Sequence, residues 1–154
     1  MRILFVCLGN ICRSPLAEGI LRHKLSHRSD VFIDSAGTGG WHAGEAPDRR
    51  SIDVALEAGI DISSQQSRKI RPDDFDSFDL ILAMDEQNRI DLLKIAPVHA
   101  HSKIHRILTY TGMGDAGVPD PWYGNEQGFK DVFNLLDEAC ERLISSVFPQ
   151  NKQG

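Results

Sequence analysis

The chain begins with a short apolar run that leads, through a seven-residue loop, directly into a helical pattern. Residues 2–6, Arg-Ile-Leu-Phe-Val, are rich in β-forming side chains. Such a run is typical of a strand buried on both faces. Ser14 and Pro15 then predict a helix start, with Ser14 as the N-cap and Pro15 in the first helical position. A strand that feeds straight into a helix predicts a chain of the α/β class.

The same alternation continues along the sequence. The predicted strands are residues 2–6, 31–33, 78–84 and 103–108, with residues 35–40 as a loop. The predicted helices begin at Ser14, span 48–58 with Gly59 as C-cap, run from an Asp85 N-cap to 93, and cover 129–147 after a long loop at 112–124. Strands alternating with helices imply a parallel sheet with helices on both faces. In such folds ligands bind at the carboxyl ends of the strands.

Length and charge limit the possible functions. The 154 residues suit one domain, predicted over 1–154, because domains typically hold roughly 100–200 residues. The net charge of −5 predicts that nucleic acid and anionic membranes are not partners. No apolar run approaches the roughly 20 residues of a membrane helix, and no export signal is predicted at the amino terminus. Three cysteines are too few for a disulfide framework, so a reducing, cytoplasmic location is predicted.

The loop after the first strand carries the chemistry. It carries Cys7 and Arg13, with five residues between them, at the entrance to a helix. A short loop that enters a helix points its backbone N–H groups inward and forms an anion cradle, which the helix dipole reinforces. Gly9 permits the positive φ or the close backbone approach that a cradle needs. Arg13 can bind two phosphoryl oxygens at once. The loop is therefore predicted to bind phosphate.

The same positive environment favours the thiolate form of Cys7. Ser14 can donate its hydroxyl to that thiolate, cap the helix, or do both. Because the loop has no lysine that could reach a β- or γ-phosphate, a nucleotide triphosphatase is disfavoured.

Several blocks of this sequence resemble the low-molecular-weight protein tyrosine phosphatases, bacterial type. The blocks are VCLGNICRSP at 6–15, DSAGT at 34–38, LAMD at 82–85 and DPWYG at 120–124. They occur in the family's order and cover nearly the whole chain. The resemblance implies a four-stranded parallel sheet with helices on both faces and a phosphate-binding loop after strand one.

The resemblance also implies a reaction. Cys7 is expected to be the nucleophile that forms a cysteinyl-phosphate, Arg13 the group that binds the phosphoryl oxygens, and Asp120 the general acid and base. The substrates would be tyrosine-phosphorylated proteins, a cognate tyrosine kinase is a further expected partner, and no cofactor or metal is expected. The residues expected to bind the substrate are Leu8, Gly9, Asn10, Ile11, Cys12 and Ser14 in the loop, with Trp41, Trp122 and Tyr123 as aromatic walls.

The sequence departs from the family pattern at two positions. Many members have a histidine near Gln65, so the hydrogen bond to Asn10 is expected to come from glutamine or to be missing. Trp122 replaces a tyrosine of many members, which leaves Tyr123 as the tyrosine of that loop that could be phosphorylated.

Several residues keep a simpler structural interpretation. Cys12 is either a packing residue or a thiol that forms a disulfide with oxidised Cys7. Cys140 is expected in the core. The resemblance offers Asp85 a role in supporting the site, but an N-cap role is sufficient to explain it. Asp120 could be a turn residue, and Trp41 a packing residue. The histidines at 99, 101 and 105 fit a solvated loop better than a metal site.

Three other functions remain open. An arsenate reductase of this fold would need two further cysteines after the third strand, and none occurs between Cys12 and Cys140. A protein arginine phosphatase tends to have threonine at the position of Ile11, so isoleucine favours an aryl substrate. A noncatalytic phosphate-binding module would be expected to lack Cys7 or Asp120.

Overall fold

Four parallel strands form the centre of the computed structural model, which describes residues 1–149. The strands are β1 (Arg2–Cys7), β2 (Phe32–Gly37), β3 (Leu80–Ala83) and β4 (Ile104–Arg106). Their order across the sheet is β2-β1-β3-β4. The connection after β1 leads to β2 on one side, whereas the connection after β3 leads to β4 on the other side. This topological switch point places the loop after β1 where ligands bind in such sheets.

Within the described part of the chain, six helices surround the sheet. They are α1 (Arg13–Lys24), α2 (Arg49–Glu57), α3 (Asp74–Ser77), α4 (Glu86–Ile95), α5 (Ile107–Tyr110) and α6 (Glu126–Val147), with 3-10 turns at Val98–Lys103 and Pro121–Tyr123. Alternate residues of β1 face opposite sides: Ile3 and Phe5 pack with the residues of α1, α2 and α6, whereas Leu4 and Val6 pack with those of α3 and α4. The predicted α/β class, with a four-stranded parallel sheet and helices on both faces, is confirmed.

The second strand is longer than the sequence indicates. Residues 35–37 were expected in a loop, but β2 pairs with β1 in parallel as far as Gly37 opposite Cys7. Small residues suit this end of the strand because a Cβ at Gly37 would lie 2.8 Å from the Leu8 carbonyl oxygen. Gly37, which in the sequence suggested a loop, is therefore needed in the strand because the phosphate-binding loop approaches it closely.

Two other predicted boundaries are wrong. Helix α1 begins at Arg13 with Cys12 in the N-cap position, so Ser14 is not the N-cap and its hydroxyl serves the loop instead. The predicted strand at 103–108 ends at Arg106, and Ile107–Tyr110 forms a helical turn. The edge strand ends there because its parallel partner ends at Ala83, which pairs with Arg106.

Within residues 1–149, no helix combines the length and the apolarity that crossing a membrane requires. The assignment of residues 1–154 to a single domain stays a prediction, since residues 150–154 lie outside the described part of the chain.

Candidate active site

A pocket of about 230 Å³ opens at the carboxyl ends of β1 and β3. Its lining residues are Cys7, Leu8, Gly9, Ile11, Cys12, Arg13, Trp41, His42, Asp120, Trp122 and Tyr123. The structure therefore brings the predicted loop residues, the predicted acid and all three predicted aromatic residues to one cavity. Asn10 and Ser14 also belong to this loop, but they are buried and do not line the pocket, and their side chains hydrogen-bond to each other.

Hydrogen-bond donors converge on the sulfur of Cys7. Its Sγ lies 3.0 Å from Ser14 Oγ, and the backbone N–H of Asn10 donates to it at 3.3 Å. Hydrogen bonds to a charged group stabilise the charged form. The loop thus places the Ser14 hydroxyl and the Asn10 N–H against the sulfur at the base of the pocket.

Asn10, rather than Gly9, has the unusual backbone conformation in this loop. Its φ is 56°, in the left-handed region that asparagine tolerates better than most residues. Gly9 meets the other need of the loop, because a Cβ there would approach His42 Cδ2 to 3.2 Å. Glycine therefore suits the close packing against His42, and asparagine suits the turn.

The side chain of Asn10 is bonded at both ends. Its Nδ2 donates to Ser14 Oγ at 2.8 Å and to Ser35 Oγ at 2.9 Å, while its Oδ1 accepts from the Arg68 backbone N–H at 3.0 Å. Gln65 donates to the carbonyl of Pro15 instead. The expectation that Gln65 supports Asn10, or that support is missing, is wrong: the end of β2 and the segment after Gln65 provide it.

Arg13 is only 3% exposed and is fixed by two acceptors. Its Nη1 donates to Asp85 Oδ2 at 2.7 Å and to the Val118 carbonyl at 3.0 Å, while its Nη2 lies 3.9 Å from Asp120 Oδ2. The other oxygen of Asp85 accepts from the Asn88 N–H, which confirms the predicted N-cap of α4. The N-cap role is therefore not sufficient to explain Asp85, which also pairs with Arg13. The available signal was an aspartate placed directly after a buried parallel strand.

Asp120 lies at the mouth of the pocket with its side chain 41% exposed. Its Oδ1 accepts from the Trp122 N–H at 3.0 Å, and the segment before it is attached to the sheet because Val118 N donates to the Met84 carbonyl at 2.8 Å. An exposed carboxyl group near a buried guanidinium can exchange a proton with a substrate or with water.

Aromatic side chains surround the mouth of the pocket. Trp41 is 74% exposed and Tyr123 is 93% exposed, whereas Trp122 lies closer in, with its ring centroid 6.0 Å from that of His42. His42 also pairs with Glu45 through Nδ1. His42 is not among the predicted site residues, because only tertiary folding brings it beside Gly9 and Trp122.

The three cysteines are all buried, and none forms a disulfide in the described residues. Burial, reinforced by the Asp48 carboxylate, raises the pKa of Cys12 to about 12. Cys12 therefore keeps its proton at neutral pH, although it lines the same pocket as Cys7. Cys140 lies in the core as predicted, on α6, and burial raises the pKa of its thiol.

The three histidines of 99–105 bond to separate partners. His99 Nε2 pairs with Asp76, while the Nε2 atoms of His101 and His105 lie within hydrogen-bond distance of the carbonyls of Ala96 and Ser102. Among residues 1–149, no three histidine, cysteine or acidic side chains are grouped so that they could hold a metal ion.

Comparison with known proteins gives consistent results across the chain. The family model described as low molecular weight phosphotyrosine protein phosphatase matches residues 2–153. The low molecular weight protein-tyrosine-phosphatase YfkJ of Bacillus subtilis is 41% identical over 150 residues, 94% of each chain. A low molecular weight phosphotyrosine protein phosphatase of Schizosaccharomyces pombe is 38% identical and covers 96% of this chain and 97% of its own.

Solved structures agree. A protein tyrosine phosphatase from Entamoeba histolytica, crystallised with Hepes in its active site, superposes with a TM-score of 0.90 at 39% identity, covering 96% of both chains. The crystal structure of YfkJ gives a TM-score of 0.89 at 38% identity, covering 99% of this chain and 97% of the other. The YwlE arginine phosphatase has a TM-score of 0.90 at 24% identity, which shows the shared fold alone.

Proposed function

This chain belongs to the low molecular weight phosphotyrosine protein phosphatase family, and on that premise we propose that it hydrolyses phosphotyrosine in proteins through a cysteinyl-phosphate on Cys7. The observation that supports the proposal is the convergence of Cys7, Arg13 and Asp120 on one pocket. These residues are the nucleophile, the phosphate-binding cation and the proton donor that the reaction needs.

In the first step, the phosphoryl group binds in the loop, with its oxygens facing the backbone N–H groups and Arg13. The Cys7 thiolate attacks phosphorus and forms the S–P bond while the bond from phosphorus to the aryl oxygen breaks. Asp120 donates its proton to that oxygen, so tyrosine leaves as the neutral phenol. Asp85 holds Arg13 in place throughout.

In the second step, the roles at Asp120 reverse. Its carboxylate removes a proton from a water molecule, the oxygen of which attacks phosphorus, and the S–P bond breaks. Inorganic phosphate leaves, and Cys7 returns to the thiolate, which Ser14 and the Asn10 N–H are placed to stabilise.

The walls of the pocket favour an aromatic ester. Leu8 and Ile11 contribute apolar surface beside the loop, and Trp41, Trp122 and Tyr123 surround the mouth. A flat ring can pack between such side chains, and its length carries the phosphoryl group down to Cys7. Tyrosine-phosphorylated proteins are thus the proposed partners, and a cognate tyrosine kinase stays a prediction.

The test compares substrates in the presence of chelator and dithiothreitol. The expected result is release of phosphate from aryl phosphates and phosphotyrosyl peptides, its loss in Cys7→Ser, and its retention in Cys140→Ala, which removes a thiol outside the pocket. Faster hydrolysis of phosphoarginine, reduction of arsenate, or phosphate binding without turnover would instead support an arginine phosphatase, a reductase or a binding module.

A further inference from the structure

Asp48 and Arg50 form a two-pronged ion pair beside the pocket. Arg50 Nε donates to Asp48 Oδ1 at 3.0 Å and Nη2 to Oδ2 at 3.1 Å. The same Oδ1 accepts from the Arg50 backbone N–H at 2.9 Å and thereby caps the start of α2. The planar guanidinium is therefore held in one orientation.

The Asp48 side of this pair is attached to the phosphate-binding loop. The Asp48 backbone N–H donates to the Ile11 carbonyl at 2.7 Å. Three residues further on, the hydroxyl of the buried Ser51 donates to the Cys12 carbonyl at 3.4 Å. The start of α2 is thus hydrogen-bonded to the loop that carries Cys7.

The Arg50 side is attached to the loop that carries Asp120. Its guanidinium donates to the carbonyls of Trp122 and Gly124 at 3.3 and 3.4 Å. Its Cζ also lies 5.5 Å from the Trp122 ring centroid and 4.5 Å from that of Phe129, within the range of cation–π attraction. The backbone N–H of Trp122 in turn donates to Asp120 Oδ1.

We propose that Arg50 is a positioning residue, which, held by Asp48, spans the nucleophile loop and the acid loop and sets the position of the Asp120 carboxyl group relative to Cys7. The inference rests on the proposed function, because Asp120 is there the proton donor. A small displacement of a reacting group from its productive position can lower a rate strongly. Loss of this bridge therefore impairs the step that needs the proton.

The first experiment compares phenyl phosphate with para-nitrophenyl phosphate. Phenolate leaves poorly without a proton, whereas para-nitrophenolate leaves with little help. Arg50→Ala should lower kcat for phenyl phosphate about 10- to 100-fold and kcat for the nitrophenyl ester much less. Arg49→Ala is the matched control, because Arg49 is 87% exposed and pairs with Asp53 on its own helix.

Two further variants separate geometry from charge and from folding. Arg50→Lys keeps the positive charge but loses the two-pronged donor, so it should restore little of the phenyl phosphate rate. Full restoration would reduce Arg50 to an electrostatic group and overturn the bridge. Thermal unfolding of each variant, with Arg50→Gln included, shows whether a lower kcat results from loss of folded protein.

A double-mutant cycle tests whether Arg50 acts through Asp120. In the Asp120→Ala background, Arg50→Ala should change the phenyl phosphate rate by no more than about two-fold, because the two losses then share one cause. A full additional loss would show that Arg50 acts elsewhere and would overturn the inference.

A measurement without turnover separates this inference from the proposed function. In a Trp41→Phe background, the remaining tryptophan is Trp122, and Arg50→Ala should increase quenching of its fluorescence by acrylamide. Unchanged quenching would overturn the bridge. If quenching rises but Asp120→Ala leaves the phenyl phosphate rate intact, the bridge stands and the role proposed for Asp120 fails.

Discussion

The buried guanidinium of Arg13 and the carboxylate of Asp85 form a hydrogen-bonded ion pair with an N–O distance of 2.7 Å across the carboxyl edge of the sheet. Asp85 divides its two oxygens between Arg13 and the first turn of α4. One side chain therefore holds Arg13, the proposed phosphate-binding cation, and caps a helix, and different substitutions should separate these two roles.

Asp85→Asn should impair catalysis more than folding. Asparagine can keep an oxygen on the helix, but it then turns an N–H₂ group toward Arg13. A hydrogen bond to a charged group is worth about 1.5–3 kcal/mol, so kcat/KM for an aryl phosphate should fall about 10- to 100-fold. Asp85→Ala should lower activity similarly and also lower the free energy of unfolding by about 1 kcal/mol through loss of the cap.

The control is Asp91→Asn, which removes a carboxylate of α4 that bonds Gln87 at the surface. Steady-state kinetics and urea unfolding on all three variants give the comparison. Wild-type kinetics in Asp85→Asn would mean that Val118 alone holds Arg13.

Asp120→Ala should slow substrates according to their leaving groups. General acid catalysis is typically worth 10²–10⁴-fold, so a loss of about that size is expected for phosphotyrosine and a smaller loss for para-nitrophenyl phosphate. Asp115→Ala is a suitable control, because its carboxylate is exposed on the same long loop. Equal losses for both substrates would mean that Asp120 orders the loop and that another group donates the proton.

Cys12 should limit oxidative damage to Cys7, and it should do so faster as the pH rises. Peroxide converts the Cys7 thiolate to a sulfenic acid, and attack by Cys12 sulfur then forms a disulfide and releases water. Burial raises the pKa of Cys12 to about 12, and Cys7 contributes to that rise. Attack depends on the thiolate fraction of Cys12, which grows with pH.

The measurement is the activity that dithiothreitol recovers after a fixed exposure to peroxide at several pH values. Wild type should recover more activity than Cys12→Ser, and the difference should widen from neutral to alkaline pH. Equal recovery at every pH would leave Cys12 as a packing residue.

Glu18 should make stability depend on pH in the opposite sense to an ordinary carboxylate ion pair. Burial raises its pKa above the ordinary 4.5, although hydrogen bonding from Ser35 and the charge of Arg22 offset part of the effect. The folded protein therefore binds this proton more tightly than the unfolded chain does. The contribution of Glu18 to stability is fully present below pH 4.5 and is lost as the pH rises through its folded-state pKa.

Glu18→Gln removes this titration while keeping an oxygen that can accept from Ser35. The free energy of unfolding of the variant, relative to wild type, should therefore rise with pH across that window. Glu138→Gln, a surface change on α6 next to Arg142, should show no such trend. A constant difference between Glu18→Gln and wild type would mean that Glu18 titrates normally.

Local sequence is sufficient for the phosphate-binding loop. Cys7, Arg13 and the helix that follows lie within a few residues of each other, so backbone geometry alone brings the sulfur, the inward N–H groups and the guanidinium together. The order of strands and helices is likewise visible in the apolar pattern, because buried parallel strands and amphipathic helices have different periods. Asp120 and the aromatic walls, far away in sequence, were found by resemblance to a family.

The tertiary structure alone decided how these parts are held. Ser35 and the backbone of Arg68 reach Asn10, Asp85 reaches Arg13, and the pair of Asp48 and Arg50 spans the two loops. Each contact joins residues more than 20 positions apart and depends on the register of the parallel strands and on the path of the segments between them. A local hydrophobic periodicity does not predict contacts between residues so far apart in sequence. The chemical groups of the loop are therefore determined by a short segment of sequence, whereas the contacts that hold the loop in place depend on the packing of the whole sheet.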